Sequence, residues 1–254
     1  VKILAAVCLS LLAWLNTLAA PGNIVLLNGT SSAGKSSLAE VMVKESKTKY
    51  EVISFDEFRR SYEANHRLTR WGFKEYNGVM VSLYRHVKEQ SEAGKNVIVD
   101  TVEFDRYYDK YCDILNCSNV IKAIVYCPPQ DILKRIDRRN NSGIPFNRRP
   151  VLLAFQQFLE MYKPQSSPDE LVVERTSTTV LRAALAEAGK KANSPAKYQA
   201  LYKDYVNVFG IDQDQKIIIL PKGKYDLVIN TRANTKKENL RLPEDYVKNR
   251  GRVP

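Results

Sequence analysis

Asn23-Ile24-Val25-Leu26-Leu27-Asn28-Gly29-Thr30-Ser31-Ser32-Ala33-Gly34-Lys35-Ser36-Ser37-Leu38 decides the fold of this chain. Ile24 to Leu27 is an unbroken apolar run, the pattern of a parallel strand covered on both faces. Gly29 to Ser36 then matches G-x-x-x-x-G-K-[ST] at every fixed position. Residues Leu38 to Lys47 carry apolar side chains at helical spacing. Strand, glycine loop and helix in that order form a phosphate cradle. The two glycines let the backbone curl its N–H groups toward an anion, and the helix adds its positive N-terminal end. Residues Gly29, Thr30, Ser31, Ser32, Ala33, Gly34, Lys35, Ser36 and Ser37 are therefore the expected contacts of a nucleoside triphosphate. Lys35 is expected on the β- and γ-phosphates and the Ser36 hydroxyl on Mg²⁺.

The rest of the chain extends the pattern. Val52 to Phe55 leads into Asp56, Asn96 to Val99 into Asp100, and Ala123 to Tyr126 forms a fourth apolar run. Between them lie helical stretches near 73–93, 105–115, 131–140 and 151–162. Alternation of this kind predicts an α/β fold, a three-layer sandwich with a parallel sheet between helices. Ligands of such sheets gather at the carboxyl ends of the strands, where Gly29, Asp56 and Asp100 all fall. Residues 163–222 break the rhythm and read as a mostly helical insertion, opening on a loop-like Pro164-Gln165-Ser166-Ser167-Pro168 and closing on an apolar run at 217–220. Tyr225 to Asn230 supplies a last strand, and a basic tail follows. The core thus spans 21–162 and returns at 223.

The two strand-end carboxylates have different uses. Asp56 is placed to accept a proton from a hydroxyl in line with the γ-phosphate, although the same position suits a helix N-cap. Asp100 is placed to hold Mg²⁺, with Glu103 and Asp105 as nearby alternatives. Lys134, Arg135, Arg138 and Arg139, with Arg148 and Arg149 beyond, make a cationic late helix suited to the charge of a transferring phosphoryl group. Arg135 and Arg139 share one face at i and i+4 and are the preferred pair. A solvated helix face is the plainer reading of that cluster. No Asn-Lys-x-Asp motif occurs, which argues against a GTPase. His66 and His86 have exposed-looking helical contexts and receive no role.

The formal charge of +11 implies acidic partners, whether nucleotide or a larger anionic macromolecule, or else a basic face that only keeps the chain soluble. Lys2, the apolar run Ile3–Leu15 and Leu18-Ala19-Ala20 have the parts of a secretory signal peptide over residues 1–20. A lipoprotein signal on Cys8 is the rival reading. The run is too short to be a stable membrane span. Export would permit a disulfide between Cys112 and Cys117, while Cys127 reads as a small buried residue.

In Leu27 to Ser36, in Asp56, in Gly94-Lys95-Asn96-Val97-Ile98-Val99-Asp100 and in Tyr225-Asp226-Leu227-Val228-Ile229-Asn230-Thr231, the chain resembles the chloramphenicol phosphotransferase-like P-loop proteins. The resemblance covers roughly 23–160 and 223–233. It implies a nucleotide-kinase-like fold and an ATP- and Mg²⁺-dependent transfer to a hydroxyl of a small molecule, with Asp56 as base. The insertion has no counterpart in that family. A toxin or effector kinase delivered into another cell, and a nucleotide-dependent binding protein without turnover, are the other readings that fit a cradle behind an export signal.

Overall fold

The computed structural model describes residues 20–66, 72–103, 105–115, 119–141, 150–165, 172–173, 217–222 and 224–231, with isolated positions between 196 and 204 and Pro243. The leader pattern up to residue 19, Arg148, Arg149, Cys117, the stretch 179–190 and the basic tail apart from Pro243 lie outside these residues.

Five strands form one parallel sheet: β1 (Ile24–Asn28), β2 (Tyr50–Ser54), β3 (Asn96–Asp100), β4 (Val120–Tyr126) and, late in the chain, β8 (Leu227–Asn230). Their order is β2-β3-β1-β4-β8. Every pairing is parallel, with Ile24 opposite Val97 on one side and Val120 on the other. The chain leaves β1 in one direction toward β2 and later returns to its other side at β4. The crevice where strand order reverses therefore opens at the carboxyl end of β1.

Alternate residues of β1 explain why its run is apolar throughout. Val25 and Leu27 join one core with α1 (Lys35–Glu45), α5 (Pro129–Asn141) and α6 (Pro150–Met161), through Leu38, Met42, Ile132, Ile136, Phe155 and Phe158. Ile24 and Leu26 point the opposite way. They pack with Met80, Leu83, Tyr84 and Val87 of α3 (Phe73–Glu92) and with Tyr111 and Leu115 of α4 (Asp105–Leu115). Both faces are covered, so the architecture is the expected three layers. One helix differs. α2 (Phe55–His66) has no buried residue and rests on α3 through Phe55 against Tyr76 and Phe58 against His86.

Where the sequence suggests a loop after 162, the structure has strands. β5 (Tyr162–Gln165) and β6 (Val172–Val173) both pair antiparallel with β7 (Ile217–Pro221), giving a second, three-stranded sheet. Pro164 is accommodated because β5 is an edge strand, where a missing N–H costs no ladder bond. Helical backbone within the insertion is described at 199–204. Cys112 is a buried free thiol, and burial pushes it up to about 12. Cys127 is buried, as expected. Among the described residues no helix is long and apolar enough to cross a membrane.

Candidate active site

The loop between β1 and α1 is shaped by backbone that only particular residues adopt. Gly29 has φ of 148°, and a Cβ there would stand 2.4 Å from the Val125 carbonyl oxygen. Gly34, at φ 103°, precedes α1 as its N-cap, and no side chain caps that helix. Its first amides are left facing the cleft, which is what an anion needs.

Buried side chains hold the loop from behind. Asn28 is fully buried and accepts from the amides of Gly29 (2.9 Å) and Glu103 (2.8 Å) through Oδ1. Its Nδ2 donates to the Glu103 carbonyl (3.0 Å) and the Tyr225 hydroxyl (2.8 Å). The Ser31 amide donates to Gln157 Oε1 at 2.7 Å, and the Ala33 amide to the Thr30 carbonyl at 3.1 Å.

Lys35 is almost wholly buried, and its ammonium donates to the carbonyls of Gly29 and Thr30, both at 3.0 Å. Burial holds its pKa below the ordinary lysine value, and Arg139 adds to the effect. The carboxylates of Asp100 and Asp56 act against it. Asp100 Oδ1 stands 3.9 Å from Lys35 Nζ, while Oδ2 accepts from the Ser36 hydroxyl at 2.6 Å. This oxygen pair suits a hard cation that keeps waters and phosphate oxygens as its remaining ligands. No cluster of three or more His, Cys, Asp or Glu exists among the described residues. A cation at Ser36 and Asp100 would therefore depend on the triphosphate for its other ligands.

Asp56 is exposed in the first turn of α2, and it lines the same cleft as Ser31, Lys35, Ser36, Asp100 and Arg139. The strand-end carboxylates and the cradle, far apart in sequence, share one wall. Glu103 does not serve as an alternative to Asp100. It is fully buried, and burial pushes its carboxyl up to about 8, with hydrogen bonds from Thr101 and Tyr84 acting in the opposite direction. Asp105 starts α4.

The two arginines of α5 divide. Arg139 is exposed and lines the cleft, 3.4 Å from the Ser32 hydroxyl. Arg135 instead grips the outside of the loop. Its Nη1 donates to the carbonyls of Ala33 (2.6 Å) and Ser32 (3.2 Å), and both terminal nitrogens reach Thr231 Oγ1 at 3.2 Å. Thr231 itself donates to the Ala33 carbonyl at 2.8 Å, tying the end of β8 to the cradle. Elsewhere on α5, Lys134 pairs with Asp131. His66 stacks on Tyr62 and His86 lies beside Phe58, and neither lines the cleft.

Asn28, Gln157 and Thr231 are the site residues whose roles sequence reasoning missed. For Gln157 a signal existed: it is a polar residue on the face of α6 that also carries Ala154, Phe155, Phe158 and Met161. A buried amide in such a row must find a partner.

Solved structures of low sequence identity are similar over nearly the whole chain. The protein APE1195 superposes with a TM-score of 0.51 at 15% identity, over 90% of this chain and 96% of its own. A proposed kinase from Chloroflexus aurantiacus gives 0.50 at 12%, over 89% and 98%. The APS kinase CysC of Mycobacterium tuberculosis, solved with AMPPNP and APS, gives 0.50 at 16%, over 90% and 98%. At these identities the likeness speaks for the P-loop kinase fold alone. No curated protein matches the sequence. A family model described as chloramphenicol phosphotransferase-like protein matches residues 22–157, from the strand before the cradle to the glutamine behind it. The chain belongs to the chloramphenicol phosphotransferase-like family, and it is a P-loop phosphotransferase.

Proposed function

We propose that the chain moves the γ-phosphoryl group of ATP onto a hydroxyl of a small molecule, with Mg²⁺ held at Ser36 and Asp100. One observation carries this reading: Asp56 opens onto the same cleft as Lys35, Ser36, Asp100 and Arg139. A carboxylate facing the phosphate cradle gives an acceptor hydroxyl its base, which a binding protein without turnover does not need. In the proposed step the acceptor oxygen bonds to the γ-phosphorus as the bridge to the β-phosphate breaks, and ADP departs. The acceptor proton passes to Asp56. Lys35 and Arg139 carry the charge spreading over the equatorial oxygens. Bound Mg²⁺ would supply further neutralisation of the phosphate oxygens.

The test is a panel of hydroxylated compounds incubated with γ-labelled ATP. Asp56→Asn should keep ATP binding and lose transfer by about 10²-fold or more. Equal turnover by wild type and Asp56→Asn would refute the assignment. The signal-peptide pattern of residues 1–20 supports the further proposal that the chain is exported, to be checked by cell fractionation of the tagged full-length protein. The charge of +11 motivates a second acceptor class, an anionic macromolecule, for which salt-sensitive RNA binding is the measurement.

A further inference from the structure

Three amides of the cradle are spent on holding its shape. Gly29 N–H goes to Asn28, Ser31 N–H to Gln157 and Ala33 N–H to the Thr30 carbonyl. Among the described residues nothing occupies the amides of Ser32 and Gly34, which alternate with these and line the cleft. From Ser31 onward the loop alternates: the amides of Ser31 and Ala33 are held by acceptors, and Ser32 and Gly34 line the cleft, while Thr30 is buried away from it. Two of the three anchors come from within the loop or the residue just before it. The third comes from α6, more than a hundred residues later.

We infer that Gln157 is a positioning residue for the triphosphate. Resting on the triphosphate reading of the cradle, this assigns the glutamine a task that its neighbours on α6 do not share. Gln157 is 5% exposed, and its Oε1 lies 2.7 Å from the Ser31 nitrogen. A neutral amide suits the place. It accepts from a backbone N–H without setting a negative charge beside the phosphates, as a carboxylate would. An aliphatic residue of the same size would leave the part-buried Ser31 N–H without this acceptor, free to turn, and the amides of Ser32 and Gly34 would turn with it. α6 also ends at Met161, whose carbonyl accepts from the Lys222 amide at 2.8 Å, and it runs directly into β5. The second sheet is thus fixed to the same helix that fixes the loop.

The experiment measures binding of ATP with Mg²⁺, and of AMP, to the full chain carrying Gln157→Met or Gln157→Glu. Gln157→Met keeps the volume and removes the acceptor. ATP affinity should fall about tenfold, the order of one lost hydrogen bond, while AMP, which has no β-phosphate for the cradle, changes little. Gln157→Glu keeps an acceptor and adds charge at a buried position, so it should lower the melting temperature and still lose ATP affinity more than AMP affinity. Unchanged ATP binding in both variants overturns the inference. So does an equal loss for ATP and AMP, which would mark a general loosening of the fold. If the wild-type protein binds no nucleoside triphosphate, the cradle reading itself fails, and this inference with it.

Discussion

Replacing Arg135 and Arg139 separately should give opposite phenotypes, although four residues and one helix face relate them. Arg135 makes hydrogen bonds to the Ser32 and Ala33 carbonyls and to Thr231 Oγ1 in a part-buried setting. Hydrogen bonds to a charged group contribute about 1.5–3 kcal/mol each, but the losses do not add here. Thr231 still donates to the Ala33 carbonyl at 2.8 Å after Arg135 is gone, so only the Ser32 carbonyl loses its partner outright. Arg135→Leu should therefore cost about 3 kcal/mol, which for a chain of this size lowers Tm by about 6–12 °C. Arg139 is exposed and its contact with Ser32 Oγ is long, at 3.4 Å. Its removal should change stability by about 0.5 kcal/mol or less. Turnover should behave the other way. Arg139→Leu should lower kcat by about 10²–10³-fold, the scale for losing one group that stabilises transition-state charge. Arg135→Leu should mainly raise KM for ATP. The assays are thermal melting of the ligand-free proteins and release of labelled phosphate from ATP, with water as acceptor if no better one is in hand. A larger Tm loss in Arg139→Leu, or an unaltered kcat in that variant, would refute this division of labour.

Two further predictions turn on buried charge. Because burial lowers the pKa of Lys35, ATP affinity should fall as pH rises through that depressed value, binding should take up protons there, and Lys35→Met should abolish the dependence; titration calorimetry in buffers of different ionisation enthalpy reads both. Glu103 is protonated in the folded protein up to about pH 8 but ionises near 4.5 when unfolded, so the native state binds the extra proton between those values. Stability should accordingly decline as pH rises across that window, and Glu103→Gln should flatten the decline in urea-unfolding free energies measured from pH 5 to 8.

The parts of the site that the sequence reveals are those made by neighbours in the chain. The cradle reads clearly because strand, loop and helix are contiguous and each glycine answers a local backbone demand. Asp56 and Asp100 were legible for a related reason: in a parallel sheet every strand ends on the same side, so the residue after each apolar run lies near the cradle. Spacing on a helix misled at Arg135 and Arg139. The i, i+4 relation puts them on one face but does not say what each meets, and one end of α5 lies against the loop and Thr231 while the other reaches the cleft. The segment after 162 was harder still, since Pro164 suggests a turn unless a partner strand more than fifty residues away makes it an edge.

Sequence alone determined that this chain builds a phosphate cradle at the carboxyl end of the central strand of a parallel sheet, because φ > 0 glycines, an apolar strand and a helix start are local physics. Only the tertiary structure decided how that loop is held. Asn28 with Tyr225, Arg135 with Thr231, and Gln157 with Ser31 are hydrogen bonds between residues far apart in the chain. Their donors and acceptors meet because the strand order brings β8, α5 and α6 around the end of β1, and no spacing within one element encodes that meeting.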